Sequence, residues 1–138
     1  MISKTIKYVD YNDVEREETF YFNLSKAELM EMELGTTGGY TAYLKRISNS
    51  QDIPALAAIF KELILKTYGE KSDDGKRFIK SPELTKAFEQ TEAYSELYME
   101  LATNTESAIA FINGVIPKKL ADEVDKARKE GKIPALDK

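Results

Sequence analysis

The sequence predicts an α+β protein that is mostly α, with an N-terminal β-hairpin packed on a bundle of five or six helices. Three observations support this fold class. Two runs rich in alternating β-branched and aromatic residues open the chain, at about residues 3–10 and 14–22. Helix N-caps, capping boxes and first-turn prolines recur through the remaining residues. Glycines and prolines separate these helical segments at short intervals.

The hairpin has two possible registers, which differ in the length of the loop. A two-residue loop at Asn12-Asp13 divides the large apolar side chains between the two faces, whereas a three-residue loop beginning at Tyr11 gathers them on one face. We favour the three-residue loop, which also places Lys7 opposite Glu17 on the other face. Because a lone hairpin is marginal in water, its apolar face must pack on other elements. The side chains on that face are Ile6, Tyr8, Val14, Phe20 and Phe22.

A complete helix start follows the hairpin directly. Ser25 is expected to be the N-cap and Glu28 its capping-box partner, with Leu24 and Leu29 as a hydrophobic staple. The helix is expected to end at Gly35.

The faces of this first helix are assigned by the spacing of its apolar residues. Ala27, Met30 and Leu34 are expected on one apolar side. The carboxylates of this helix and of the second strand are expected on solvated faces, because exposed Asp and Glu are the usual case. They are Glu15, Glu17, Glu18, Glu28, Glu31 and Glu33.

Glycine and cap signals bound the next segments. A short helix is predicted from Tyr40 to about residue 48, after the Gly38-Gly39 pair. A central helix is predicted from about residue 53 to residue 68, opened by Asp52 as N-cap and closed by Gly69. The polar connector that follows contains an Asp-Gly step, which indicates a tight turn and a second, small hairpin.

The C-terminal half is predicted to be helical throughout. Ser81-Pro82 begins a helical region, and whether this region breaks near Thr91 is left open. Thr103, with Glu106 as its capping-box partner, is expected to begin a further helix. An amphipathic last helix is predicted from Pro117 to Gly131. The chain is accordingly interpreted as one globular domain over residues 1–131, with the hairpin at about 3–22, the helical part at about 25–131 and a frayed tail at 132–138.

Composition excludes most recognisable enzyme classes. The 138 residues include neither Cys nor His, which removes the thiol nucleophile, the commonest general base and the commonest metal ligands. We therefore expect neither catalysis nor a bound metal or cofactor. The net charge of −4 disfavours nucleic acid as a partner. No apolar run reaches the roughly 18 to 20 residues of a membrane span, so a cytoplasmic protein without membrane contact is expected.

Three features are candidate binding surfaces or hinges. Tyr94 and Tyr98 lie four residues apart on one helical face, where they either complete the core with their hydroxyls at its edge or contact a partner. Leu120 and Val124 lie on the apolar side of the last helix, which either completes the bundle or docks on another protein. Gly38-Gly39 is interpreted as a hinge or helix boundary.

Several stretches of the chain, taken together, point to a family. They are Thr5-Ile6-Lys7-Tyr8 through Phe20-Tyr21-Phe22-Asn23-Leu24-Ser25, then Glu33-Leu34-Gly35-Thr36-Thr37-Gly38-Gly39, Tyr68-Gly69-Glu70-Lys71-Ser72 with Gly75-Lys76-Arg77-Phe78, Glu92-Ala93-Tyr94-Ser95-Glu96-Leu97 and Phe111-Ile112-Asn113-Gly114. In these stretches the chain resembles the tail assembly chaperones of tailed bacteriophages that infect Gram-positive bacteria. The resemblance spans most of residues 1–117 and is one of whole-chain character.

The resemblance implies a non-catalytic role in the cytoplasm of the infected host cell. Such chaperones coat the long tape-measure protein, keep its hydrophobic helical segments soluble and give way as tail-tube subunits polymerise around it. Self-association is left open. Two alternatives remain: a structural tail or connector component that is retained in the virion, and a small acidic protein that binds a host protein.

Overall fold

The computed structural model describes residues 1–50 and 52–116 of the chain. Within these ranges it contains four strands and six helices, in agreement with the predicted fold class. The predicted last helix, with Leu120 and Val124, lies outside the described residues. In chain order the elements are β1 (Ile2–Val9), β2 (Glu15–Phe22), α1 (Lys26–Gly35), α2 (Tyr40–Ser50), α3 (Ile53–Thr67), β3 (Tyr68–Lys71), β4 (Phe78–Ile79), α4 (Pro82–Glu89), α5 (Glu92–Thr103) and α6 (Thr105–Val115).

The chain divides into two compact units, and the division lies within α3. The first unit comprises Met1–Asn23 and Phe60–Val115. The second comprises Leu24–Ile59 and Ile116–Lys138, of which residues 24–50, 52–59 and 116 are described. The interpretation of residues 1–131 as one domain stays a prediction.

The first unit is built on a four-stranded antiparallel sheet in the order β1-β2-β3-β4. The pairing of β1 with β2 has the register expected for a three-residue loop, with Lys7 opposite Glu17 and Thr5 opposite Thr19. The hydroxyls of these two threonines lie 2.9 Å apart, on the face away from the apolar side chains. β3 pairs only with Tyr21 and Phe22 at the end of β2, so the rest of that strand edge carries no described strand.

The predicted second hairpin is present and joins this sheet. β3 pairs with β4 across a turn in which Gly75 has a φ of 73°. Gly69, however, was expected to end the central helix, and this was wrong. α3 ends at Thr67, and Gly69 lies in β3, where a Cβ atom would be only 2.6 Å from the ring of Phe78. The glycine is explained by this close approach of two strands rather than by a helix cap.

An aromatic cluster forms the core of the first unit. The ring of Phe88 on α4 stacks on Tyr68 with the ring centroids 4.2 Å apart, while Phe22 contacts both rings at about 6 Å. Phe111 of α6 completes the cluster edge-on to Phe22, at 5.4 Å. The apolar face of the hairpin therefore packs on helices and on the second hairpin, as the marginal stability of an isolated hairpin requires.

Two helix boundaries in this unit are decided by side-chain caps. The helical region after Ser81 does break at the point left open, because Gln90 ends α4 and the hydroxyl of Thr91 accepts a hydrogen bond from the Tyr94 amide. The prediction of Thr103 as the cap of α6 was wrong. The side chain of Asn104 accepts from the Ser107 amide at 3.0 Å and is the cap.

In the second unit, α1 begins as predicted but buries another face. The reciprocal hydrogen bonds of Ser25 and Glu28 form the expected capping box. The buried residues of α1 are Leu29, Met32 and Glu33, whereas Leu34 is exposed, so the assignment of the apolar side was wrong. The C-cap of α1 is Thr36 in extended conformation, so Gly35 provides no left-handed termination.

The hairpin loop gives a first testable prediction. The Asp10 carboxylate accepts hydrogen bonds from Arg16 Nε at 2.5 Å and from the amides of Val14 and Asn12, and these bonds hold its pKa below the ordinary 3.8. A lowered folded-state pKa stabilises the fold above the unfolded-state pKa, and this contribution is lost as pH falls through the folded-state value. A ¹³C NMR titration of the carboxyl group should give a midpoint below 3.8 that rises in the Arg16→Gln variant. A midpoint at or above 3.8 would contradict this arrangement.

Candidate functional site

The two candidate tyrosines lie side by side at the margin of the aromatic cluster. Tyr94 contacts Phe88 edge-on at 5.9 Å, and its ring lies 6.1 Å from that of Tyr98. Both side chains are half-buried. Burial, with smaller effects from Glu89 and Tyr98, raises the pKa of Tyr94 above 10. The structure thus places the pair between core and surface, and their contact with a partner stays a prediction.

Exposed apolar side chains on α5 and α6 were missed by the sequence analysis. α5 buries Ala93, Leu97 and Leu101, which leaves Met99 56% exposed on the opposite side. On α6, Ile109 is 54% exposed. The available signal was the i, i+4, i+8 spacing of the buried residues of α5, which excludes Met99 from the buried stripe.

The candidate hinge has the backbone geometry that glycine permits. Gly38 and Gly39 have φ angles of 79° and 92°. The Gly39 amide donates to the Thr36 carbonyl at 2.8 Å, and the Gly39 carbonyl accepts from the Tyr43 amide at 3.1 Å, which begins α2. Both glycines occupy the left-handed region, where other residues are strained. The connection between α1 and α2 is therefore a defined turn, and motion at it stays a prediction.

A buried carboxylate lies beside this turn. Glu33 is only 2% exposed, so its expected position on a solvated face was wrong. Its carboxylate accepts a hydrogen bond from the Thr41 amide at 2.5 Å, in the first turn of α2. An acid at a helix N-terminus is favoured because it accepts from an amide that has no partner within the helix. The sequence signal for this burial was the spacing of four residues between Leu29 and Glu33, which places both side chains on one stripe of α1.

Replacing Glu33 with glutamine should destabilise the second unit modestly. Glutamine keeps the shape and an acceptor oxygen but loses the charge that strengthens the bond to the Thr41 amide. We expect a loss of about 1 kcal/mol in the free energy of unfolding, measured by urea denaturation. Glu31→Gln on the exposed side of the same helix is the matched control and should be neutral. Equal effects of the two substitutions would contradict the role assigned to the buried carboxylate.

Neither a metal centre nor a membrane span is found in the described residues. Over residues 1–50 and 52–116, no group of three acidic side chains is placed to hold a metal ion. In the same part of the chain, none of the helices combines the length and the apolarity that crossing a membrane requires.

The described residues define a class, that of a small α+β protein in which part of a strand edge has no neighbouring strand and several apolar side chains are exposed. The chain belongs to the phage tail assembly chaperone family, whose model matches residues 1–136. This match extends past residue 117, where the resemblance in the sequence ended. No curated protein and no solved structure matches the chain. The protein therefore has a role in phage tail assembly, and membership of a chaperone family indicates assembly rather than catalysis.

Proposed function

We propose that the chain binds the tape-measure protein in the cytoplasm of the infected cell and keeps its hydrophobic helical segments soluble until the tail tube forms around it. Membership of the tail assembly chaperone family is the observation that carries this proposal. A chaperone of this kind needs an apolar surface that binds an amphipathic helix weakly enough to release it.

The outer side of α5 is our candidate for that surface. At about 100° per residue, Tyr94 and Tyr98 border the buried stripe and Met99 projects beyond them. Tyrosine and methionine suit such contacts, since a tyrosine ring combines an apolar body with a polar tip and a methionine side chain adapts to irregular surfaces. The same side of α5 carries small or polar residues at Ser95 and Ala102, which leave room for a partner helix. We also propose that Leu120 and Val124 contribute to partner binding and that the Gly38-Gly39 turn acts as a hinge. Substitutions at these four positions test the two proposals separately.

Co-expression with the tape-measure protein of the same phage tests the proposal. The expected result is a soluble complex that co-purifies, together with the absence of this chain from mature virions by mass spectrometry. Failure to bind combined with detection in virions would instead support a structural tail component. Absence of both would favour a host-directed binding protein.

A matched pair of variants tests the surface. Met99→Glu introduces a charge on the proposed face and should reduce recovery of the complex, whereas Ile109→Glu changes a similarly exposed residue on α6 and should not. If only the α6 variant lost binding, the surface assignment would be wrong while the proposed function would stand.

A further inference from the structure

Among the described residues, most of β2 has no strand beside it on the side away from β1, and this part of the strand is called the open edge of β2. β3 covers only Tyr21 and Phe22, and beyond this point the two strands diverge. The loop bond from the Asp10 amide to the Val14 carbonyl sets the alternation of the hairpin ladder. In an antiparallel ladder, hydrogen-bonded pairs alternate with pairs that are not hydrogen-bonded, and the residues of the latter turn their amides and carbonyls outwards. The residues of β2 opposite Val9, Lys7 and Thr5 are of this second kind, so their backbone groups point away from β1. They belong to Glu15, Glu17 and Thr19, and no described strand pairs with them.

A cleft of about 450 Å³ opens where the strands diverge. Its lining includes Phe20 and Tyr68, whose ring centroids are 6.4 Å apart. Glu18 and Glu70 also line the cleft. Burial raises the pKa of Tyr68, and the nearby charges of Glu70 and Glu18 raise it further. The cleft therefore places aromatic carbon and negative charge next to backbone groups that are not paired with any strand in the described part of the chain.

The charges along this edge are mainly negative. Glu15 and Glu17 on β2 are exposed, in addition to the two carboxylates of the cleft. The nearby cations are already engaged. Arg16 is bound to Asp10 at 2.5 Å and also lies 3.7 Å from Glu18, and the Lys7 ammonium lies 3.6 Å from Glu17. The Lys71 ammonium lies over the ring of Tyr21, 4.4 Å from its centroid.

We propose that the open edge of β2 binds an extended segment of a partner protein in which lysine or arginine alternates with apolar side chains. The segment adds a strand beside β2 and its backbone pairs with the open groups. Its apolar side chains lie on the face of the cleft, while its cations lie on the other face of the sheet beside Glu15 and Glu17. β1 of a second copy is a poorer complement, because Lys4 is bound to Glu100 at 2.6 Å and Lys7 already faces Glu17. The inference does not depend on the tape-measure protein being the partner.

A synthetic peptide tests the edge directly. The probe is an end-capped decapeptide of alternating valine and lysine, and its counterpart with glutamate in place of lysine is the charge control. Fluorescence anisotropy with the full chain should show binding of the lysine peptide alone. Amide hydrogen exchange of Glu17 and Thr19 should slow when this peptide is bound. Equal binding of the two peptides, or no binding of either, would overturn the proposal.

A pair of proline variants distinguishes the two edges of the hairpin. Thr19→Pro removes an amide from the open edge of β2, whereas Thr5→Pro removes the amide of the residue directly opposite, which points to the outer edge of β1. Both variants lose the same contact between threonine hydroxyls, so they differ in the edge that is blocked. Thr19→Pro should abolish peptide binding and Thr5→Pro should retain it. The reverse result would assign the binding to β1 and contradict the proposal.

A charge variant keeps the proposal testable if the proline variants do not fold. Glu15→Lys, on the face of β2 that the lysines of the peptide share, should weaken peptide binding by about fivefold, while Glu62→Lys on the exposed side of α3 should leave it unchanged. Sedimentation of the wild-type chain without peptide provides the remaining check. A self-associated chain that Thr19→Pro converts to monomer would show that a second copy occupies the edge, which would overturn the assignment to a partner protein.

Discussion

Replacing Phe22 with alanine should lower the free energy of unfolding by about 3–5 kcal/mol. Its side chain is 0% exposed, and its ring contacts those of Tyr68, Phe88 and Phe111 at centroid distances of 6.0, 5.9 and 5.4 Å. The substitution removes most of the buried ring and leaves a cavity that only partial relaxation can fill. Because these contacts join β2 to β3, α4 and α6, the loss affects the whole first unit.

Urea denaturation measures this effect, and the adjacent residue provides its control. With a slope of about 2 kcal/mol per molar, the midpoint should fall by about 2 M. Tyr21→Ala changes a residue of similar size on the opposite face of β2, where the ring contacts the Lys71 ammonium instead of the core. That variant should lose about 1 kcal/mol or less. An unchanged midpoint for Phe22→Ala would show that the apolar face of the hairpin has been misplaced.

Replacing Gly69 with alanine should cost about 2 to 3 kcal/mol. A Cβ atom at this position would lie 2.6 Å from the Phe78 ring and 2.7 Å from the carbonyl oxygen of Ile79. The carbonyl belongs to the backbone of β4, so relief requires a shift of that strand and not only a rotation of the ring. Gly69 also pairs with Tyr21 of β2, which restricts movement of β3 in the other direction.

Gly35→Ala is the matched control, and it should raise the free energy of unfolding instead of lowering it. Nothing lies within 4 Å of a Cβ atom there, and Gly35 belongs to α1 without a positive φ. Alanine in a helix is favoured over glycine by roughly 0.5–1 kcal/mol, so this variant should be slightly more stable than the wild type. Thermal or urea unfolding of the two variants in parallel checks the prediction. Destabilisation of both by the same amount would remove the steric explanation for Gly69.

Secondary structure that depends on residues close together in the sequence was predicted correctly from short sequence patterns. The hairpin register followed from a loop of three residues, and the capping box of Ser25 and Glu28 from their spacing. Both were predicted correctly, because the atoms concerned are close in the sequence and their geometry follows from backbone and side-chain chemistry. The same applies to the tight turn at Gly75.

Features that depend on distant residues were predicted less well. A glycine at position 69 is compatible both with a helix end and with a strand. Only the structure shows that the ring of Phe78 lies too close for any larger residue at this position of β3. The sequence predicts Glu33 to be exposed, because the hydrogen bond that its carboxylate accepts comes from the Thr41 amide of another helix, α2. The candidate tyrosines were found, whereas Met99 was not, although the spacing of Ala93, Leu97 and Leu101 indicated which side of α5 is buried.

For this protein the sequence by itself determined the mostly helical α+β class, the register of the first hairpin, the capped starts of α1, α3 and α4 and the family resemblance. The tertiary structure alone decided that the two hairpins share a four-stranded sheet, that a glutamate is buried and that, within residues 1–50 and 52–116, most of β2 has no second neighbouring strand. The physical reason is the range of the interactions. Caps and turns join residues a few positions apart, whereas strand pairing, burial and open edges depend on segments that lie far apart in the sequence.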